Sequence, residues 1–209
     1  MAQATFLRIH PDNPQPKAIQ QAVEIIKKGG LVIYPTDTIY GLGCDLMNGK
    51  AVERLCQLRG LKPDKAQLSF ICHDLTHISD YAKISNQTYK VMKKALPGPF
   101  TFVLEASSNV PKIGGARRKT VGIRIPDNNI CLSIVRELGT PIVSTSIHDE
   151  DEVIEYTTDP ELIYEKYRNQ VDLVIDAGYG NNIASTVINC EHDEFEILRQ
   201  GAGEIEEYL

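Results

Sequence analysis

Short apolar runs recur along this chain at residues 31–34, 68–72, 100–105, 120–125, 141–144 and 171–176, and most are separated by helix-like stretches. Runs of this length suit strands buried inside a sheet, and the spacing between them suits helices that return the chain across it. Residues 16–28 show the helical pattern most clearly. Pro16 fits a first turn, Ile19, Ala22, Val23 and Ile26 form one stripe, and Gly29-Gly30 stop it. The same signals predict helices over 50–58 with Asn48 as cap, over 75–81, over 86–95 with Ser85 as cap, over 130–138, and over 160–169 with Thr158 or Asp159 near the cap. Residues 184–189 and 195–199 read as a strand pair, and a short helical turn ends the chain. Segments 36–45 and 106–119 read as loops, and 147–156 as an acidic loop. The expectation is an α/β fold with a mixed sheet and flanking helices, in a single domain over 1–209 whose core spans about 15–203.

A net charge of -6 makes the surface as a whole a poor match for polyanions, so any anion must be held by a local cluster. The five cysteines, Cys44, Cys56, Cys72, Cys131 and Cys190, are odd in number and widely spaced. That pattern argues against a disulfide framework or a zinc site and for buried free thiols. Residues 1–10 carry no apolar signal core, and no run reaches the length of a membrane span, so a cytoplasmic location without membrane attachment is expected.

Three segments carry polar chemistry. The first is Thr36-Asp37-Thr38-Ile39-Tyr40-Gly41-Leu42-Gly43, after the run at 31–34. Loops at the carboxyl ends of strands border the usual ligand crevice of an open α/β sheet, and two threonine hydroxyls with free N–H groups can hold a small polar ligand there. An ordinary strand-to-helix turn has the same composition, and no P-loop or dinucleotide fingerprint is present. The second segment holds the basic residues: Arg59, Lys62 and Lys65, the run Arg117-Arg118-Lys119, Arg124 and Arg199. Arg124 interrupts an apolar strand. It either faces inward and needs an anionic partner, or shares an exposed face with Gly122. The third segment is Ser144-Thr145-Ser146-Ile147-His148. It has no nucleophile-elbow pattern, and His148 reads most simply as a polar loop residue. The acidic run at 149–152 reads as a solvated loop.

Six pieces in order along the chain resemble the YrdC/YciO family, which includes the threonylcarbamoyl-adenylate synthases. They are Pro35-Thr36-Asp37-Thr38-Ile39-Tyr40-Gly41-Leu42, Pro97-Gly98-Pro99-Phe100-Thr101, Thr120-Val121-Gly122-Ile123-Arg124-Ile125-Pro126, Ser144-Thr145-Ser146, Ser185-Thr186-Val187-Ile188 and Arg199-Gln200-Gly201-Ala202. The resemblance implies a twisted sheet with a concave basic face. It also implies a reaction that joins L-threonine, bicarbonate and ATP into threonylcarbamoyl-AMP with release of pyrophosphate, feeding a tRNA modification. Mg²⁺ would accompany the ATP. By position it implies Thr36, Arg124, Ser144 and Ser185 on the threonine side. On the nucleotide side it implies Arg59, Thr120, Ser146 and Arg199, with Lys62 and His148 as further candidates.

Two departures fall on the nucleotide side. Where synthases carry lysine-glycine-arginine-proline, this chain has Arg59-Gly60-Leu61-Lys62-Pro63. Where they carry serine-alanine-asparagine, it has Ser146-Ile147-His148. Both resemble the YciO branch. The favoured reading is therefore a synthase-like nucleotidyltransferase. The alternative is a non-catalytic protein that binds tRNA or double-stranded RNA through Arg117, Arg118 and Lys119, with the salt dependence of backbone contacts.

Overall fold

Alternation along the strands sorts side chains to two faces of one sheet, and the faces are not covered alike. The computed structural model describes residues 3–147 and 155–209. Among the described residues, eleven strands form the sheet: β1 (Thr5–Arg8), β2 (Val32–Tyr34), β3 (Gly41–Asp45), β4 (Ser69–Ile71), β5 (Ala82–Lys83), β6 (Phe100–Ala106), β7 (Thr120–Arg124), β8 (Ile142–Ser146), β9 (Leu173–Asp176), β10 (Thr186–Asn189) and β11 (Glu196–Arg199). Their order is β1-β9-β2-β3-β8-β4-β7-β6-β10-β11, with β5 beside β6. Parallel pairs (β1 with β9, β4 with β7, β6 with β10) are interspersed with antiparallel ones (β2 with β3, β3 with β8, β6 with β7). The sheet is mixed, as the sequence predicts.

The helices are α1 (Pro16–Lys27), α2 (Gly49–Leu58), α3 (Leu75–Tyr81), α4 (Asn86–Ala95), α5 (Asn129–Leu138), α6 (Glu155–Thr158) and α7 (Pro160–Tyr167). Their starts follow local chemistry. The side chains of Asn48, Ser85 and Asp159 accept from the backbone N–H groups of Ala51, Thr88 and Glu161, which would otherwise lack partners. Gly139, at φ 80°, ends α5 in the left-handed conformation that glycine adopts without penalty.

One face of the sheet packs on a large core that includes Ile33, Leu42, Leu55, Phe70, Phe102, Ile123, Val143, Val174 and Ile188. The opposite face is covered only in part. Helices α1 and α5 pack Ile19, Val23, Ile26, Ile130, Ile134 and Val135 against Val32, Tyr34, Ile71, Ile142, Leu173 and Ile175. Each of the aliphatic side chains among these contributes about 1.5–3 kcal/mol on full burial.

Three expectations need correction. Residues 36–45 are not all loop, because Gly41–Asp45 form β3 between β2 and β8. Its glycines disguise the alternation: Leu42 and Cys44 face the large core, while a Cβ at Gly41 would lie 2.8 Å from the Tyr34 ring and one at Gly43 2.4 Å from Ile142 Cγ2. The glycines make room for Tyr34. Second, the core passes both ends of the expected 15–203 span. β1 pairs with β9, Arg8 Nε donates to buried Asp176 at 2.7 Å, and Ile9 and Ile205 are buried. Third, α6 begins inside the expected acidic loop. All five cysteines are free and buried. Burial pushes the Cys131 thiol up to about 12 and raises Cys44 and Cys72 further, which leaves them inert as nucleophiles. No helix of the described residues is long and apolar enough to cross a membrane.

Candidate functional site

Where α1 and α5 stop, the sheet face carries small and hydroxyl-bearing residues. A row crosses six strands in register: Gly43 opposite Ser144, Ser144 opposite Ser69, Ser69 opposite Gly122, Gly122 opposite Val103, and Val103 opposite Asn189. Val103 is the one apolar side chain in that row, so it offers no apolar stripe to a covering helix. Above them lies a cavity of about 470 Å³, whose lining includes Thr38, Thr101, Arg118, Thr120, Arg124, Ser144, Ser146, Ser185 and Arg199. The crevice expected at carboxyl ends of strands is thus a pocket on the face of the sheet. In a mixed sheet those ends do not gather on one side.

Arg124 is inward-facing. Its side chain and that of Asp37 are each only 11% exposed, and its Nη2 donates to Asp37 Oδ1 and to Thr38 Oγ1, both at 3.0 Å. Asp37 Oδ2 accepts from the Asp127 N–H at 3.1 Å. Burial nevertheless raises the Asp37 carboxyl, with Arg124 and the Asp127 N–H opposing that rise. Arg124 Nε is buried and has no hydrogen-bond partner among the described residues. An unmet guanidinium donor is costly to bury, so a ligand acceptor would relieve it. Thr36, expected on the threonine side, sits behind this group. Its Oγ1 donates to Ile39 O at 2.8 Å and accepts from the Thr38 N–H at 3.0 Å, which holds Thr38 towards Arg124. Thr36 is not on the cavity wall.

Ser144 is anchored from below. The buried Tyr34 hydroxyl donates to Ser144 Oγ at 2.6 Å, and burial raises the Tyr34 phenol far above its ordinary range. Ser185 Oγ lies 2.8 Å from Thr101 Oγ1. Arg199 Nη2 donates to Ser185 O at 2.8 Å and so closes the opposite wall. Burial first, and then repulsion from Arg124, lower the Arg199 guanidinium below its usual value. Two like charges that disfavour each other across one cavity leave it ready for an anion. The tail after Arg199 is locked down, with Thr186 Oγ1 donating to Gly203 O and accepting from the Gly201 and Gly203 N–H groups.

The structure divides the other sequence candidates. Thr120, Ser146 and Arg199 line the cavity with Arg124, Ser144 and Ser185. Arg59, at the C-terminal end of α2, and exposed Lys62 do not. Leu61 packs against the large core. His148 lies outside the described residues, as does the acidic run at 149–152. The basic run 117–119 splits, because Arg118 lines the cavity while Arg117 and Lys119 are exposed. Sequence reasoning missed Asp37 as the partner of Arg124, Tyr34 as the support of Ser144, and the hydroxyls of Ser69 and Thr101. The signal for the last two was present: a hydroxyl at an alternate position of an otherwise apolar strand.

Comparison with known proteins covers nearly the whole chain. The Sua5/YciO/YrdC family model, described as telomere recombination, matches residues 24–201. The uncharacterized protein YciO of Escherichia coli K12 is 40% identical over 206 residues, 98% of both chains. Its crystal structure superposes with a TM-score of 0.89 over 99% of this chain and 100% of that one. A threonylcarbamoyl-AMP synthase of Vibrio vulnificus YJ016 is 28% identical over 186 residues, 88% of this chain and 98% of that one. The crystal structure of Pyrococcus abyssi Sua5 complexed with L-threonine is 27% identical, with a TM-score of 0.86 over 98% of this chain and 59% of that one.

Proposed function

Because this chain belongs to the Sua5/YciO/YrdC family, we propose that its cavity performs a reaction of the threonylcarbamoyl-AMP synthase type. L-threonine, bicarbonate and ATP would give threonylcarbamoyl-AMP, pyrophosphate and water. The observation that carries this reading is Arg124, a guanidinium fixed by Asp37 and Thr38 on the cavity wall with a buried Nε that has no partner among the described residues. An amino-acid carboxylate is the ligand group that satisfies a planar donor of this kind. The hydroxyls of Ser144 and Ser185 stand by for the rest of the amino acid. Thr120, Ser146 and Arg199 then serve the nucleotide, which arrives as its Mg²⁺ complex. The similarity to a threonylcarbamoyl-AMP synthase and to Sua5 solved with L-threonine supports the reaction type.

In the proposed chemistry the threonine amine attacks bicarbonate carbon and water leaves, giving a carbamate. A carbamate oxygen then attacks the α-phosphorus of ATP, and pyrophosphate departs with the electrons of the broken P–O bond. Neither step uses a protein nucleophile. What the protein contributes is alignment of two reactants and neutralisation of charge on the phosphates, the roles that fixed guanidinium and hydroxyl groups fill.

Calorimetric titration with ATP·Mg²⁺, with and without L-threonine and bicarbonate, followed by a pyrophosphate assay, tests the reading. Coupled binding is expected, with pyrophosphate only when all three are present. No pyrophosphate from the complete mixture would sink it.

A further inference from the structure

We infer that Arg118, carried on the loop between β6 and β7, is the residue of this chain that grips the polyphosphate end of the nucleotide, an inference that rests on the reading above. Two of the cations expected on the nucleotide side are misplaced for it, since neither Arg59 nor Lys62 lines the cavity. Among the described residues three guanidinium groups do line it, those of Arg118, Arg124 and Arg199, and the reading above gives Arg124 to the amino-acid carboxylate. Arg124 is held by Asp37 and Thr38, and Arg199 spends Nε and Nη2 on Ser185 O. Arg118 uses a single donor, Nη2 to Pro63 O at 2.6 Å, and has no other hydrogen bond among the described residues. Its remaining N–H groups are therefore available to phosphate oxygens, with bidentate geometry built in.

The loop that presents Arg118 is constructed rather than slack. Ile113 and Ala116 exchange backbone hydrogen bonds across Gly114-Gly115, which stand at φ 61° and 78°. Positive φ at both central residues is the tight turn that glycine pairs favour. Ile113 is buried in the large core. A Cβ at Gly114 would lie 2.6 Å from Asp64 N and 2.8 Å from Pro63 Cβ, so the turn sits flush on the 63–64 segment whose carbonyl holds Arg118. Turn, core anchor and tether together fix one long side chain at the cavity wall. That lowers the entropy a flexible arginine would lose on binding. Glu191 is the one carboxylate among the described residues that line the cavity, which also carry Arg118, Arg124 and Arg199.

The test titrates wild type, Arg118→Gln and Arg118→Lys with ATP·Mg²⁺, adenosine, inorganic triphosphate and L-threonine, with thermal melting as a fold check. Glutamine can still donate to Pro63 O but carries no charge, and lysine keeps the charge without the fork. Arg118→Gln should weaken ATP·Mg²⁺ and inorganic triphosphate roughly tenfold or more, the scale of one charge-assisted contact. Arg118→Lys should recover part of that loss, while adenosine and L-threonine bind all three proteins alike. Equal ATP·Mg²⁺ and triphosphate affinity in wild type and Arg118→Gln would overturn the inference. So would a loss shared by adenosine and L-threonine, which would mark a merely structural tether. If wild type binds triphosphate through Arg118 but not ATP·Mg²⁺, the anion subsite stands and the nucleotide reading falls. If it binds neither, both fall.

Discussion

One face of the sheet contains two regions built on the same backbone and doing opposite things. Under α1 and α5 its side chains are Val32, Ile71, Ile142, Leu173 and Ile175, and two helices cover them. Farther along that face the positions are Ser69, Gly122, Ser144 and Asn189, and they floor a cavity. Ile71 and Ser69 lie on one strand, and so do Ile142 and Ser144. The choice between packing layer and binding site is therefore made residue by residue, by whether the outward position has apolar surface to hide. Helix coverage follows from the hydrophobic term, and the bare half follows from its absence.

The largest expected effect comes from breaking the covered half. Ile134 is fully buried on α5. Ile134→Ala should cost about 3–4 kcal/mol in urea unfolding, the loss of transfer energy plus an unfilled cavity. Ser69→Ala, on the same face, should leave stability within about 0.5 kcal/mol. If the two cost the same, the division of the face into structural and functional halves is wrong.

Next in size is Arg124, the one place where the bare half carries structural weight. Arg124→Met should cost about 3 kcal/mol at neutral pH, because it strands a buried carboxylate. The sign of its pH dependence follows from Asp37. Burial already raises that carboxyl in the folded state, and removing Arg124 takes away an influence that lowers it. A raised folded value means that the native state binds the extra proton, so stability falls as pH rises from the ordinary carboxylate range through the raised one. The deficit of Arg124→Met should therefore be smaller at pH 5 than at pH 8, and Asp37→Asn in the same protein should flatten it. A deficit independent of pH would mean that Asp37 is not the stranded group.

The same contrast explains what could be read from the sequence. The covered half was legible, because Ile19, Ala22, Val23 and Ile26 repeat at helical spacing and all four are buried. Caps at Asn48 and Ser85 were legible because capping is local chemistry. The cavity was legible only as a set of polar residues in strands, among them Arg124, Ser144 and Ser185, whose convergence depends on strand order. Asp37 and Arg124 are far apart in sequence, and nothing local pairs them. β3 escaped because its two glycines answer to Tyr34 and Ile142, contacts that no window around residue 42 contains. Arg118 read only as part of a basic run in a loop for the same reason, since the carbonyl that tethers it belongs to Pro63.

Two glycines of the floor row sharpen the comparison at the smallest scale. Gly43 lies where β3 meets the covered half, and an added Cβ would sit 2.4 Å from Ile142 Cγ2 and 2.9 Å from Val143 O. Neither neighbour can yield without moving β8, so Gly43→Ala should cost about 1–3 kcal/mol as overpacking. At Gly122 the added Cβ would meet Thr101 Cγ2 at 3.2 Å and Ser69 Oγ at 3.6 Å, and Gly122 itself lines the cavity. A small shift of the Thr101 side chain accommodates it, and the alanine offsets that strain by restricting the unfolded chain, an effect worth about 0.4–1 kcal/mol. Gly122→Ala should thus keep its unfolding midpoint close to wild type while the new methyl intrudes on the floor beside Arg124 and lowers affinity for L-threonine. Paired urea titrations and calorimetry on the two variants check this. Stability lost at Gly122, or ligand affinity lost at Gly43 without loss of stability, would show that the boundary between the two halves has been drawn in the wrong place.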